Sequence, residues 1–211
     1  MRNTRWRSGP RPAAIAIVAL LGLFVSCSRP AGREAKAPAE TAVAETGHGS
    51  LYELEFAMID ADGRTRHLAE FRGRPLVASM MYTNCTSVCP RVTADLQALE
   101  RALPEDLKSE VEFVLFSLDP ERDTPAALRA FATSRHLDPR HWTLLAAGPD
   151  DMRTLAAVLG VRFRPDGEGE IAHSALIAIV DRDGVIRHRQ LGNVDDRSAL
   201  VAAVRKVAGR S

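Results

Sequence analysis

Cysteine is scarce in this chain, with three in 211 residues: Cys27, Cys85 and Cys89. That is too few for a scaffold stapled by several disulfides. A bridge from Cys85 to Cys89 would close a loop too short to constrain the unfolded chain much, so this pair points to chemistry. Neither sign of charge predominates, with 28 basic residues against 27 acidic ones. The formal net charge is +1 and no basic block stands out, which argues against a nucleic-acid partner. No apolar run reaches the length of an ordinary transmembrane helix, about 20 residues. There is no internal repeat. What is present is a hydrophobic content of 45%, suited to a globular domain, and length enough for one domain with extras.

The extras lie at the start. Residues 1–26 carry Arg2, Arg5, Arg7 and Arg11 and no acid. The run from Ala13 to Val25 has the length of a secretory signal's apolar core. It ends in Phe24-Val25-Ser26-Cys27, which resembles a bacterial lipobox with Phe24 in place of the usual Leu. On that reading Cys27 is lipidated and becomes the mature N-terminus. Read instead as an uncleaved anchor, the segment leads to the same placement: exported and tethered to a membrane. Without those four arginines, 24 basic residues remain against 27 acidic ones, a net charge of −3. Ser28 to Ser50 is rich in Ala, Glu, Gly, Thr and Pro, without apolar periodicity, and reads as a disordered tether. As a flexible coil it would span roughly 25–30 Å.

From residue 51 onward the pattern is that of a folded domain. Leu51–Phe56 reads as a strand, and Asp60-Ala61-Asp62-Gly63 as a turn. Pro75–Tyr82 is almost continuously apolar, as a strand buried on both faces requires. Val92, Leu96, Leu99 and Leu103 form the stripe of a helix from about Pro90 to Leu103. Val111–Leu118 reads as a second buried strand. Thr124 caps a helix opened by Pro125, with Leu128 and Phe131 on its core side. Trp142–Leu145 is a strand, a helix from about Asp150 closes at Gly160, and Val161–Arg164 is a brief extended piece before the turn-rich Pro165–Gly169. Ala175–Val180 and Val185–Arg189 form a hairpin around Asp183-Gly184, and a last helix runs from about Asp195 to Val207. This order predicts an α/β thioredoxin-like fold with a mixed central sheet flanked by helices.

Chemistry concentrates after the first buried strand, in Tyr82-Thr83-Asn84-Cys85-Thr86-Ser87-Val88-Cys89-Pro90. Residues four apart share a helical face, so both sulfurs can meet at one spot. Pro90 suits the first helical position, which puts Cys89 at or beside the N-cap, where the helix dipole favours a thiolate. Such a pair either holds a soft metal or cycles through a disulfide. The spacing is three residues, where the redox motif has two. His173, just before the third core strand, is the candidate third donor. In a thioredoxin-like fold it stands at a junction lying against the cysteine loop, where oxidoreductases of that fold carry a proline. Two thiolates and one imidazole suit copper as Cu(I) and as Cu(II). Zinc fits less well, since structural zinc sites use four protein ligands. Met80 and Met81 read as core. Asp119 and Asp123 read as loop and helix capping, with orienting or shielding the site as the other role. His67, His136, His141 and His188 read as surface residues.

Three segments together resemble the SCO/SenC family of copper chaperones for cytochrome c oxidase. They are Tyr82–Pro90, Ser117-Leu118-Asp119-Pro120-Glu121-Arg122-Asp123-Thr124-Pro125, and His173-Ser174 before a strand and an Asp-x-Asp-Gly turn. The similarity runs from about Leu51 to the C-terminus. The resemblance implies that Cys85, Cys89 and His173 are copper ligands. It implies copper delivery to, or thiol reduction at, the binuclear copper centre of an oxidase subunit. Another periplasmic copper chaperone or a thiol reductant would be a further partner. The place implied is the periplasmic face of the inner membrane, the outer membrane being the other choice. The family often has Asp before the histidine, where this chain has Ala172. A thiol–disulfide reductase and a thiol peroxidase are the rival readings of the cysteine pair. The first is an enzyme and needs no His173.

Overall fold

The computed structural model describes residues 49–85, 88–165, 170–192, 194 and 197–209. The signal segment, Cys27, the tether as far as residue 48, Thr86, Ser87, the turn at 166–169 and the expected helix start at Asp195 lie outside the described residues.

In chain order the strands are β1 (Met58–Asp60), β2 (Thr65–Arg66), β3 (Leu76–Met81), β4 (Glu112–Ser117), β5 (Trp142–Ala147), β6 (Phe163–Pro165), β7 (Ile171–His173), β8 (Leu176–Val180) and β9 (Ile186–Leu191). The helices are α1 (Val88–Ala102), α2 (Glu105–Lys108), α3 (Pro125–Ser134), α4 (Pro149–Leu159) and α5 (Ser198–Val207). Among the described residues seven strands form one sheet in the order β2-β1-β5-β4-β3-β8-β9, and β6 and β7 form a separate pair. β3 runs parallel to β4 and antiparallel to β8, so the sheet is mixed, as expected. All six residues of β3 and all six of β4 are buried, which explains their continuous apolar runs.

The helices end where their sequences dictate. Thr124 accepts the Ala127 N–H at the start of α3, and Pro125 occupies the first turn. Gly160 ends α4 at φ 87°, a conformation that a side chain disfavours. Arg189, buried on β9, donates to the Leu159 and Val158 carbonyls at 3.0 and 3.1 Å and so satisfies two of the acceptors that α4 leaves open. Burial holds the Arg189 guanidinium below its usual pKa.

Leu51–Phe56 corrects the expectation of a strand. Leu51–Glu53 is a 3-10 helix and the first strand is Met58–Asp60. Leu51 and Tyr52 are consecutive and both buried, which a strand with one buried face cannot arrange. Ser50, assigned to the tether, already belongs to the fold. Its hydroxyl accepts the Tyr52 N–H and donates to the Asp183 carbonyl, while the Leu51 N–H reaches the Gly184 carbonyl at 2.8 Å. Tyr52 then donates to the Phe71 carbonyl at 3.1 Å, and its burial pushes its pKa up to about 12. Among the described residues no helix is long and apolar enough to cross a membrane.

Candidate metal centre

The topology explains why residues 84 positions apart meet. β3 and β4 are parallel and end together, with Met81 opposite Ser117. β8 is antiparallel to β3, with Ile177 opposite Ser79. The chain therefore leaves β3 for the cysteine loop at the same end at which it enters β8 from His173. A buried hydrogen bond from Ser79 Oγ to the Leu176 carbonyl, 2.6 Å, fixes that junction.

Cys85, Cys89 and His173 each offer one donor atom, and these atoms lie within 4.8 Å of one another. Cys89 Sγ is 3.3 Å from His173 Nε2. The Cys89 N–H donates to Cys85 Sγ at 3.2 Å. Cys85 and Cys89 are buried and not joined by a disulfide, and His173 is half-buried.

The sulfurs converge by a different route from the one expected. α1 begins at Val88, so Cys89 is its second residue and Pro90 its third. Pro90 is tolerated there because the N–H groups of a first turn have no intrahelical partner. Cys85 is not helical. It sits in a turn whose N–H reaches the Tyr82 carbonyl at 3.2 Å, and its sulfur takes the N–H that a capping oxygen would usually take. The expected acidification of Cys89 does not hold either. Burial pushes the Cys89 thiol up, and the nearby Cys85 and Asp123 act in the same direction. Without a metal, Cys89 is protonated at neutral pH.

His173 has the opposite bias. Burial pushes its pKa down, so the imidazole is neutral at pH 7. Nδ1 is 3.2 Å from the Ser174 carbonyl, which can only accept. The proton therefore sits on Nδ1, and Nε2 turns its lone pair toward Cys89 Sγ. A neutral imidazole oriented through its other nitrogen is the form that binds metals.

Two groups treated lightly in the sequence hold this site together. Asp123 is 2% exposed and accepts from Thr83 N, Thr83 Oγ1 and Ser117 Oγ at 3.0, 2.6 and 2.6 Å. It ties the first residues of the cysteine loop to the end of β4, so it orients the site as well as its own loop. Asp119 caps that loop, taking Arg122 on its carboxylate. Tyr82 opens the Tyr82–Pro90 motif. Its ring meets that of His173 edge-on, with centroids 6.0 Å apart, and its hydroxyl donates to Glu170 at 2.6 Å. Met80 and Met81 are core residues of β3. Ala172 is exposed, on the strand face opposite to that of His173. His67 and His136 are exposed as expected. His141 and His188 are half-buried instead, each with one ring nitrogen buried without a partner.

Comparison with known proteins places this arrangement. The SCO1/SenC family model matches residues 44–209. A SCO1/SenC family lipoprotein from Bacillus anthracis is 26% identical, with a TM-score of 0.66 over 72% of this chain and 92% of that one. ScoI of Bradyrhizobium japonicum, solved with copper bound, is 28% identical, with a TM-score of 0.60 over 72% of this chain and 96% of that one. BsSco, described as a member of the Sco family of cytochrome c oxidase assembly proteins and as carrying a disulfide switch, is 26% identical. Its TM-score is 0.62 over 74% of this chain and 94% of that one. These likenesses bear out the expected thioredoxin-like fold.

Proposed function

The chain belongs to the SCO1/SenC family, and from that premise we propose that it is a membrane-tethered periplasmic copper chaperone for cytochrome c oxidase. Cys85, Cys89 and His173 hold one copper ion as cargo. The recipient is the copper-bearing subunit of an oxidase, reached by ligand exchange from a tether lipidated at Cys27. The observation that carries this reading is the convergence of two sulfurs and one imidazole nitrogen within 4.8 Å. The chemistry of the set supports it. Thiolates suit Cu(I) and imidazole suits Cu(II), so one site accepts both with small rearrangement. The copper-bound and lipoprotein relatives support the cargo and the anchor, and the oxidase-assembly relative supports the recipient.

The test is a titration of the reduced protein with Cu(I) and Cu(II), alongside His173→Ala. The proposal requires one ion per chain and a loss of Cu(II) affinity in the variant. An unchanged Cu(II) spectrum and affinity would remove His173 from the site.

A second reading uses the same sulfurs. The two sulfurs are not joined by a disulfide and lie within 4.8 Å of each other, so little motion separates them from one. The protein would then reduce a disulfide on the oxidase subunit. One S–S bond breaks in the partner and one forms between Cys85 and Cys89, and two electrons and two protons pass to the partner's sulfurs. Reduction of a partner disulfide at the wild-type rate by His173→Ala would favour this role. Bound copper and a disulfide are alternative states of one pair, so both roles are compatible.

A further inference from the structure

His173 stands on a weak piece of structure. β7 is not part of the seven-stranded sheet. Among the described residues it pairs only with β6, over Phe163–His173, Arg164–Ala172 and Pro165–Ile171. A two-stranded ribbon is marginal by itself. At the C-terminal end of β7, the Ser174 N–H donates to the Arg162 carbonyl at 2.8 Å and the Ser174 hydroxyl accepts the Arg162 N–H at 3.1 Å. At the other end the tie is a phenol. Tyr82 Oη accepts the Ile171 N–H at 3.1 Å and donates to Glu170 Oε2 at 2.6 Å. Tyr82 is 1% exposed, and it is three residues before Cys85, whose N–H it accepts on its own carbonyl. One residue thus touches the turn that carries Cys85, the strand that carries His173, and the imidazole itself.

We propose that Tyr82 is a positioning residue: its hydroxyl, clamped between Glu170 and the Ile171 amide, holds β7 so that His173 Nε2 faces the two sulfurs. This rests on the copper reading above and adds a distinction to it. Cu(I) is satisfied by two thiolates, whereas Cu(II) needs the imidazole. Loosening the clamp therefore weakens Cu(II) binding and spares Cu(I). A residue that mattered only for folding would weaken both.

The experiment uses Tyr82→Phe, which keeps the ring and removes the hydroxyl, together with Glu170→Ala, Glu170→Gln and His173→Ala. Amide exchange of Ile171 is followed in the reduced, metal-free protein, and Cu(I) and Cu(II) titrations are run on each variant. The proposal predicts that Tyr82→Phe speeds Ile171 exchange and lowers Cu(II) affinity about tenfold, in the range seen when groups supporting a metal ligand are removed. It predicts a shifted Cu(II) absorption spectrum and Cu(I) affinity within about twofold of wild type by the same reasoning. Glu170→Ala follows Tyr82→Phe, and serves in its place should that protein not fold. Glu170→Gln, which keeps an acceptor oxygen for the phenol, recovers most of the loss. Wild-type Ile171 exchange, or equal losses for the two ions, would overturn the clamp. If His173→Ala binds Cu(II) as wild type does, the copper reading of His173 fails instead, and Ile171 exchange alone decides whether Tyr82 holds β7.

Discussion

Replacing Asp123 separates two effects that the structure superimposes. The side chain is almost fully buried, and its carboxylate takes three donors: Thr83 N, Thr83 Oγ1 and Ser117 Oγ. Its pKa is nevertheless raised, because burial outweighs the hydrogen bonds that favour the charge. The negative charge itself therefore adds no stability at neutral pH, and the shape and acceptor oxygens do the holding. Asp123→Asn keeps one acceptor oxygen and the volume, and the hydroxyls of Thr83 and Ser117 can turn to accept from its amide. The expected cost is about 1 kcal/mol. Asp123→Ala leaves the Thr83 N–H and two hydroxyls without that acceptor, at about 1–3 kcal/mol for each buried donor that finds no other. The removed burial of a carboxylate offsets part of this, giving a net loss of about 3 kcal/mol. For a domain of this size each kcal/mol moves Tm by about 2–4 °C, so thermal unfolding at neutral pH should show shifts of about 2–4 °C for Asn and about 6–12 °C for Ala. Equal shifts for the two variants, or a shift below about 2 °C for Ala, would refute the reasoning.

Other outcomes follow from the same geometry. Because burial keeps Cys89 protonated, binding copper as a thiolate must release its proton. Apparent Cu(I) affinity should therefore rise at least about tenfold per pH unit between about pH 6 and 8, as competition titrations would read, and a flat profile contradicts the raised thiol. The same shift has a sign for folding: its contribution is present below the unfolded thiol value of about 8.5 and is lost above it, so urea midpoints of the metal-free protein fall as pH rises further. Gly184 has φ 85° and a Cβ there would lie 2.6 Å from Tyr52 Cδ2, whereas Gly63, at φ 78°, has open space around it. Gly63→Ala should cost about 1–2 kcal/mol of backbone strain and Gly184→Ala clearly more, so that equal urea midpoints for the two would contradict the packing of the Leu51–Glu53 turn on the hairpin.

Much of this protein is legible in its sequence because long elements announce themselves. β3 and β4 are buried on both faces and read as unbroken apolar runs, and Thr124-Pro125 and Gly160 mark helix ends by capping chemistry. Short elements carry too little pattern. The three-residue strands β6 and β7 owe their existence to tertiary neighbours, and Leu51–Glu53 alternates by accident while both of its first residues are buried. The donors Cys85, Cys89 and His173 could be named from residue type, spacing and position before a core strand. How they meet could not. The acceptor role of Cys85 Sγ, the place of Cys89 inside the helix and its raised pKa depend on burial that no spacing reveals. Tyr82 escaped for the same reason, since its hydroxyl acts on Glu170, 88 positions away; for Asp123 orientation of the site stood only second to capping, because Thr83 lies 40 positions away.

The central claim is that one ion sits between two sulfurs and one ring nitrogen. X-ray absorption at the copper edge, on reduced protein loaded with one equivalent of Cu(II) or Cu(I) without oxygen, reads those donors directly. The account predicts two sulfur scatterers with either ion, and with Cu(II) a histidine pattern that disappears in His173→Ala. A first shell of nitrogen and oxygen alone, unchanged by loss of Cys85 or Cys89, would contradict it.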